Sequence, residues 1–293
     1  FSVEEAQLDM NANVRKFELL GYPYQGIMVN GHLKNRYFKG TLLVDDPNLQ
    51  LKSKGQVDLR QANQEIILLA EIDKSNLKAL HFTEDSISVS TTLDLNFKGF
   101  TLDDVIGKGE LQNTFISQNG KQLGIKHFKF SSYKKDSIRD FSIKSNLVSF
   151  FARGDFEFSS VADDLAVLLK EYKLKLTNDE ADITSYYTSK PRGDNYEIRF
   201  KLDLIDTKPL FDLFYPSLDI SKGTIFKGRF SNSNTSVLEF HSVFDSIQFD
   251  NVTFSKNEID IFTSKQRYSN DMLASYHIAS LNQKIGKKLK HTS

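Results

Sequence analysis

Apolar and polar residues alternate strictly along much of this chain. Residues 197–204 read EIRFKLDL, with Ile198, Phe200, Leu202 and Leu204 at one parity and Glu197, Arg199, Lys201 and Asp203 at the other. Side chains in a strand point to opposite faces with period two, so this run predicts a half-covered strand. The same reading applies to residues 56–59 (QVDL), 86–90 (SISVS), 155–158 (DFEF), 173–176 (KLKL), 246–249, 251–254 and 258–261. Phe, Ile and Val recur at the apolar positions, and such side chains favour pleated, half-covered surfaces. The pattern predicts a mostly antiparallel, all-β chain whose sheet is apolar on one face and charged on the other.

Turn signals punctuate these runs. Asn119-Gly120 suits a tight hairpin, because both central positions of a type I′ turn need positive φ. Asp45-Asp46-Pro47-Asn48 reads as a second turn, and Pro191-Arg192-Gly193-Asp194 as a longer one between residues 186–189 and the strand at 197. Gly31, Gly40, Gly109, Gly223 and Gly228 each precede a short β-like run and read as degenerate strand starts, not as a fixed-period repeat. Helical patterns are few. Residues 161–172 place Val161, Leu165, Leu168, Leu169 and Tyr172 on one helical face, with Ser160 and Asp163 as its N-terminal cap. Residues 209–214 form a shorter candidate, closed by Pro216, and residues 75–80 and 102–105 read as single turns. Such elements either cap or gate the open side of a curved sheet, or simply cover its apolar edge. No clear linker exists. Residues 177–181 mark the one candidate boundary, between 1–176, including the helix near 160–172, and 177–293, without a firm break.

Composition narrows the chemistry. The 293 residues include 24 Phe, 11 Tyr, no Trp and no Cys, with 38 Lys plus Arg balancing 38 Asp plus Glu. Lack of Cys removes disulfides, thiolate metal sites and cysteine nucleophiles. Zero net charge argues against a nucleic-acid binder. The longest apolar run, residues 66–70, falls far short of the roughly 18 residues of a membrane-spanning helix. The chain starts at Phe1 with no signal-like pattern, so an excised or processed segment is expected. His32, His81, His127, His241, His277 and His291 are too scattered for a metal-binding helix and read as surface or packed residues. The pairs Asp45-Asp46, Asp103-Asp104 and Asp163-Asp164 sit beside turns or helix starts, where carboxylates accept free backbone N–H groups. Residues 21–26 (GYPYQG) lack the Lys-Ser/Thr ending of a phosphate loop, and no Gly-x-Ser-x-Gly elbow occurs. The tripeptide Arg192-Gly193-Asp194 is explained by its turn, the sequons at Asn234 and Asn251 are weak, and the lysines at 284, 287, 288 and 290 read as a solvated end. Neither catalysis nor a cofactor is expected.

A sheet with so much apolar face and so few helices must hide that face against a second sheet or curl into a trough. Phe lines a trough well, being large and carrying no polar atom to satisfy, although compositional drift accounts equally for a Phe-rich, Trp-free chain.

Residues 26–59, 93–158 and 202–230 carry a succession of patterns. These are G-x-L, acidic-Pro-Asn-x-x-L and G-x-V-D-L, then F-K-G-x-x-L-D-D, then L-F-x-P-x-L-x-I-x-x-G-T. The succession resembles the TamB / AsmA-like family (translocation and assembly module), most of all its Bacteroidota members, over nearly the whole chain. The resemblance implies an elongated, curved antiparallel sheet forming a U-shaped apolar groove of the β-taco type, with a few short helices. It implies an interior segment, itself without a transmembrane helix, of an inner-membrane-anchored protein that spans the periplasm. Such a protein carries phospholipid between inner and outer membranes for outer-membrane biogenesis, with an outer-membrane barrel-insertase family protein as partner. Groove-lining positions facing phospholipid acyl chains would be Phe128, Phe130, Phe141, Ile143, Phe156, Phe158, Leu174, Leu176, Ile198, Phe200, Leu202 and Leu204. The family offers no catalytic residues. Competing readings are a scaffold for outer-membrane protein assembly that binds no lipid, and a closed β-sandwich binding module, for instance for glycans.

Overall fold

The computed structural model describes residues 7–60, 64–177, 195–266 and 272–285, apart from the side chains of Leu169, residues 171–177 and Ile285. Alternation along these residues does produce strands. In chain order they are β1 (Gln7–Leu19), β2 (Tyr22–Lys34), β3 (Tyr37–Asp46), β4 (Leu49–Asp58), β5 (Glu65–Ser75), β6 (Ile87–Lys98), β7 (Ile106–Gln118) and β8 (Lys121–Lys135). There follow β9 (Ile138–Ser145), β10 (Val148–Asp155), β11 (Tyr196–Leu204), β12 (Leu218–Ile220), β13 (Thr224–Asn232), β14 (Thr235–Phe249), β15 (Val252–Gln266) and β16 (Met272–Ile285). They make one open, antiparallel 16-stranded sheet that is not closed into a barrel. Hydrogen-bonded neighbours follow chain order, with only the short β12 off the path, beside β14. Among the described residues two helices interrupt the strands: α1 (Phe158–Thr177) and α2 (Lys208–Phe214).

Short connections explain the sequential order, because antiparallel neighbours can be joined by two-residue turns. Asn119 and Gly120 join β7 to β8 with φ of 51° and 78°, the double positive φ of a type I′ turn. Pro47 and Asn48 turn β3 into β4. Residues 186–194 lie outside the described residues. Residues 251–254 and 258–261, read from the sequence as two runs, are one strand. Phe244 pairs with Asn257 and Ser246 with Ser255, so the register runs on unshifted past Asp245 and Lys256, and Lys256 takes a φ of 54°.

Three local expectations need correction. Residues 173–176, with Leu174 and Leu176, are the end of α1 and not a strand, since Lys, Leu and Glu extend a nucleated helix readily. Residues 155–158 are not a strand either: β10 stops at Asp155 and Phe158 opens the helix. Ser160 therefore lies in the first turn of α1 and not at its cap. The shorter helix matches its prediction, with Pro209 in its first turn, where the missing N–H costs nothing. Residues 77–81 and 102–104 are single turns.

The chain divides into two compact units with interleaved pieces. Unit 1 comprises Phe1–Ser132, Ser142–Ser149 and Ile205–Lys222, and unit 2 comprises Tyr133–Phe141, Phe150–Leu204 and Gly223–Ser293. Among the described residues no helix is long and apolar enough to cross a membrane.

Candidate binding face

Register decides which side chains share a face in unit 1. Val29 pairs with Leu42 and Leu42 with Ser53. Leu68 pairs with Leu95, Leu93 with Leu111, and Leu111 with Phe128. Paired residues point to the same side, so these rows join into one apolar face running from β1 to β8. Hydroxyls on that face are satisfied within it: Ser53 Oγ donates to the Leu42 carbonyl at 3.3 Å, and Thr91 and Thr114 share a hydrogen bond of 2.7 Å.

Glycines lie in the middle of this face. Gly31 pairs with Gly40 and Gly40 with Gly55, three backbones side by side on β2, β3 and β4. A Cβ at Gly40 would come 2.3 Å from the Asn30 carbonyl oxygen and 2.6 Å from the Gly31 Cα, both inside van der Waals contact. The Phe38 ring sits over the same spot, 2.8 Å from that Cβ position. These glycines are thus mid-strand positions where backbones crowd on the apolar side, and only Gly223 of those read as strand starts directly precedes a strand. On the opposite face the same row opens into a trench flanked by Asn30, His32, Lys39 and Thr41.

Most of that face has only partial cover. Leu33, Phe38, Leu68, Leu93, Leu95 and Phe97 all stay partly exposed and join none of the buried clusters. Along β6 the alternation is visible in exposure, with Leu93, Leu95 and Phe97 half-buried between exposed Thr92, Asp94, Asn96 and Lys98.

One end of the face is capped. The turn after β5 reaches back so that Leu80, 1% exposed, packs with Tyr24, Ile27 and Val44. His81 Nδ1 lies 2.9 Å from the Leu20 carbonyl oxygen, and its ring meets Tyr22 edge-on at 6.1 Å. Beneath, buried Asp46 accepts from Tyr22 Oη at 2.6 Å, the Asn48 N–H at 2.8 Å and the Gln25 N–H at 2.9 Å. Burial pushes the Asp46 carboxyl up, yet these donors outweigh it and hold the group below its ordinary value. Tyr22 is correspondingly raised, by burial and then by its bond to Asp46. Farther along unit 1, α2 lays Leu210 and Leu213 against Leu123 and Leu147.

In unit 2 part of the apolar side of the sheet is covered. Ile198 pairs with Phe230, Phe200 with Gly228, and Phe230 with Leu238. Helix α1 packs there: Leu168, with Val161 and Leu165 beside it, joins Ala152, Phe156, Tyr196, Ile198 and Phe230 in one buried cluster. Asp164 was expected as a cap. It sits past the first turn and accepts from Tyr196 Oη at 2.9 Å and Asn232 Nδ2 at 2.8 Å, tying helix to sheet. Arg139, fully buried, places its guanidinium 5.4 Å from the centre of the Phe158 ring.

The other face carries charge in pairs. Arg229 donates to Glu239 at 2.7 Å, Lys129 meets Glu110 at 3.1 Å, and His241 meets Asp260 at 2.6 Å. Hydrogen bonding to Glu239 raises Arg229, and hydrogen bonding to Lys129 lowers Glu110. Among the described residues no group of three His, Asp or Glu is placed to hold a metal ion.

The twelve predicted liners fall into four groups. Phe128, Phe130 and Ile143 are half-buried strand residues of unit 1, and the Phe130 ring leans on Phe97 at 6.4 Å. Phe200, Leu202 and Phe141 are half-buried in unit 2, with Phe141 edge-on to Phe158 at 4.9 Å. Phe156, Ile198 and Leu204 are buried and pack in core instead of lining open surface, and Phe158 opens the helix, half-buried against the cluster of Phe156 and Ile198. Leu174 and Leu176 end α1, and their side chains lie outside the described residues. Sequence reasoning missed the contributions of β1–β6, such as Phe38, Leu68, Leu95 and Phe97, although residues 93–97 (LDLNF) carry the same alternation. Compared with protein-family models, curated proteins and solved structures, the chain matches none.

Proposed function

We propose that the apolar face of β1–β8 is a surface for acyl chains, and that the chain is an interior segment of a periplasm-spanning, inner-membrane-anchored bridge carrying phospholipid toward the outer membrane. One observation carries the first part: a continuous row-by-row apolar face that stays partly exposed along most of its length. Each methylene removed from water contributes about 0.8 kcal/mol, so an acyl chain gains from continuous apolar cover with no specific contact required. Rows of near-equivalent Leu, Ile and Phe offer sites of similar energy, which favours sliding over trapping. Headgroups would remain at the strand ends, in water. The reading assigns no catalytic step to this chain. Its bridging role, periplasmic setting and barrel-insertase partner rest on the family resemblance.

Native mass spectrometry of the purified chain after incubation with vesicles of phosphatidylethanolamine tests it. The expected result is a ladder of adducts at phospholipid mass, reduced by Leu95→Glu. Absence of adducts from the unsubstituted protein would overturn the reading.

A further inference from the structure

Within unit 2, α1 lies where the apolar face would otherwise be open. Partly exposed rows are the rule on β6, but under the helix Ile198 and Phe230 are 6% and 3% exposed. The helix side chains Val161, Leu165 and Leu168 supply that cover. An apolar helix face needs no polar bond to stay on a sheet, yet this one has a localised polar fastening. Asp164 accepts from both Tyr196 and Asn232, and Asn232 Oδ1 accepts from Ser236 Oγ at 2.7 Å. Both bonds run through one carboxylate and, with the Arg139 guanidinium over the Phe158 ring, give the helix a defined docked geometry.

We infer that α1 is an autoinhibitory occupant: docked, it takes the place of an acyl chain on the apolar face of unit 2, and lipid reaches that face only when the helix undocks. This rests on the acyl-binding reading above. The two occupants are interchangeable in kind, because an acyl chain covers Ile198 and Phe230 with the same methyl and methylene surface the helix side chains present. Lipid then shifts the docking equilibrium only by its preference for the undocked state.

The chain contains no Cys, so a single engineered pair reports cleanly. Asp164→Cys with Asn232→Cys removes the fastening, and a short bismaleimide restores it covalently in the same protein. p-Benzoylphenylalanine replaces either Leu95, on the face of unit 1, or Leu238, packed against the helix cluster. Each protein is irradiated with palmitoyl-oleoyl-phosphatidylethanolamine vesicles and lipid adducts are quantified by mass spectrometry. The expected result is equal labelling from position 95 in both forms, with labelling from position 238 falling roughly tenfold or more on tying, as expected for hydrogen bonds to a charged group. Equal labelling from position 238 in tied and untied protein overturns the inference, as does no labelling in either form while position 95 reacts. Loss of labelling at position 95 overturns the acyl-binding reading instead. Tyr196→Phe, which keeps the ring against Phe230 and removes only the hydroxyl donor, is the second variant if the cysteine pair does not fold. It should increase labelling at 238 over the parent, and no increase overturns the inference.

Discussion

The Phe200 ring lies across the backbone of Gly228, its register partner on the next strand: a Cβ there would meet the ring at 2.4 Å and the Glu239 carbonyl oxygen at 2.6 Å. Moving the ring alone cannot relieve the second contact. Gly228→Ala should therefore destabilise unit 2 by about 1–3 kcal/mol, the usual cost of overpacking. A lowered urea midpoint at unchanged slope would show it. An unchanged midpoint would mean the strands part more easily than the geometry implies.

Exposure separates two apolar positions on equivalent faces. Leu95 is partly exposed, so Leu95→Glu keeps its carboxylate within reach of water, and the far-ultraviolet circular dichroism should stay native. Phe230 is buried, so Phe230→Glu places an unpaired charge in a closed core. That variant should lose cooperative thermal unfolding. Equal damage from both would remove the distinction between face and core.

Asp46 predicts an acid-sensitive step. Its folded pKa is lower than its unfolded value, so its contribution is fully present above the unfolded value, near 3.9, and is lost as pH falls through the folded one. Tyr22→Phe removes one of the bonds that lower it. The variant should be less stable at pH 7 by about 1–3 kcal/mol, and that gap should narrow toward pH 3. Urea midpoints at the two pH values measure it, and a gap independent of pH would contradict it.

Leu80 ties the turn after β5 to the end of the unit 1 face. Leu80→Ala should cost about 2–5 kcal/mol by leaving a cavity against Tyr24, Ile27 and Val44. Two residues on, Phe82 is 56% exposed, and Phe82→Ser should change stability by less than about 0.5 kcal/mol. Thermal melts of the pair check the contrast.

Charge pairs on the outer face should matter little. Arg229 and Glu239 are both substantially exposed, so Arg229→Gln should cost at most about 1 kcal/mol and less at high salt. A salt-independent loss of several kcal/mol would place Arg229 in a structural role the geometry does not show.

Sequence alone determined the all-β class and, where the alternation is long, which face of a strand is apolar. Residues 197–204 alternate so cleanly that only one face of β11 can turn inward, because a one-residue slip would bury four charged residues. Turn chemistry was equally legible at Asn119-Gly120, where two positive φ values are needed within two residues. The alternation at 173–176 misled, because a four-residue pattern cannot report the helix already running into it. Tertiary structure decided whether an apolar face became open surface or closed core. Leu95 and Ile198 sit in like patterns, yet one is partly exposed and the other lies beneath α1. Exposure depends on what packs from a distance, and the bonds that hold the helix there join Asp164 to a residue 68 positions away. The glycines were visible but their role was not: why Gly40 must be glycine depends on Gly31 and the Asn30 carbonyl meeting it across the β2–β3 pair, a coincidence of register that no local pattern encodes.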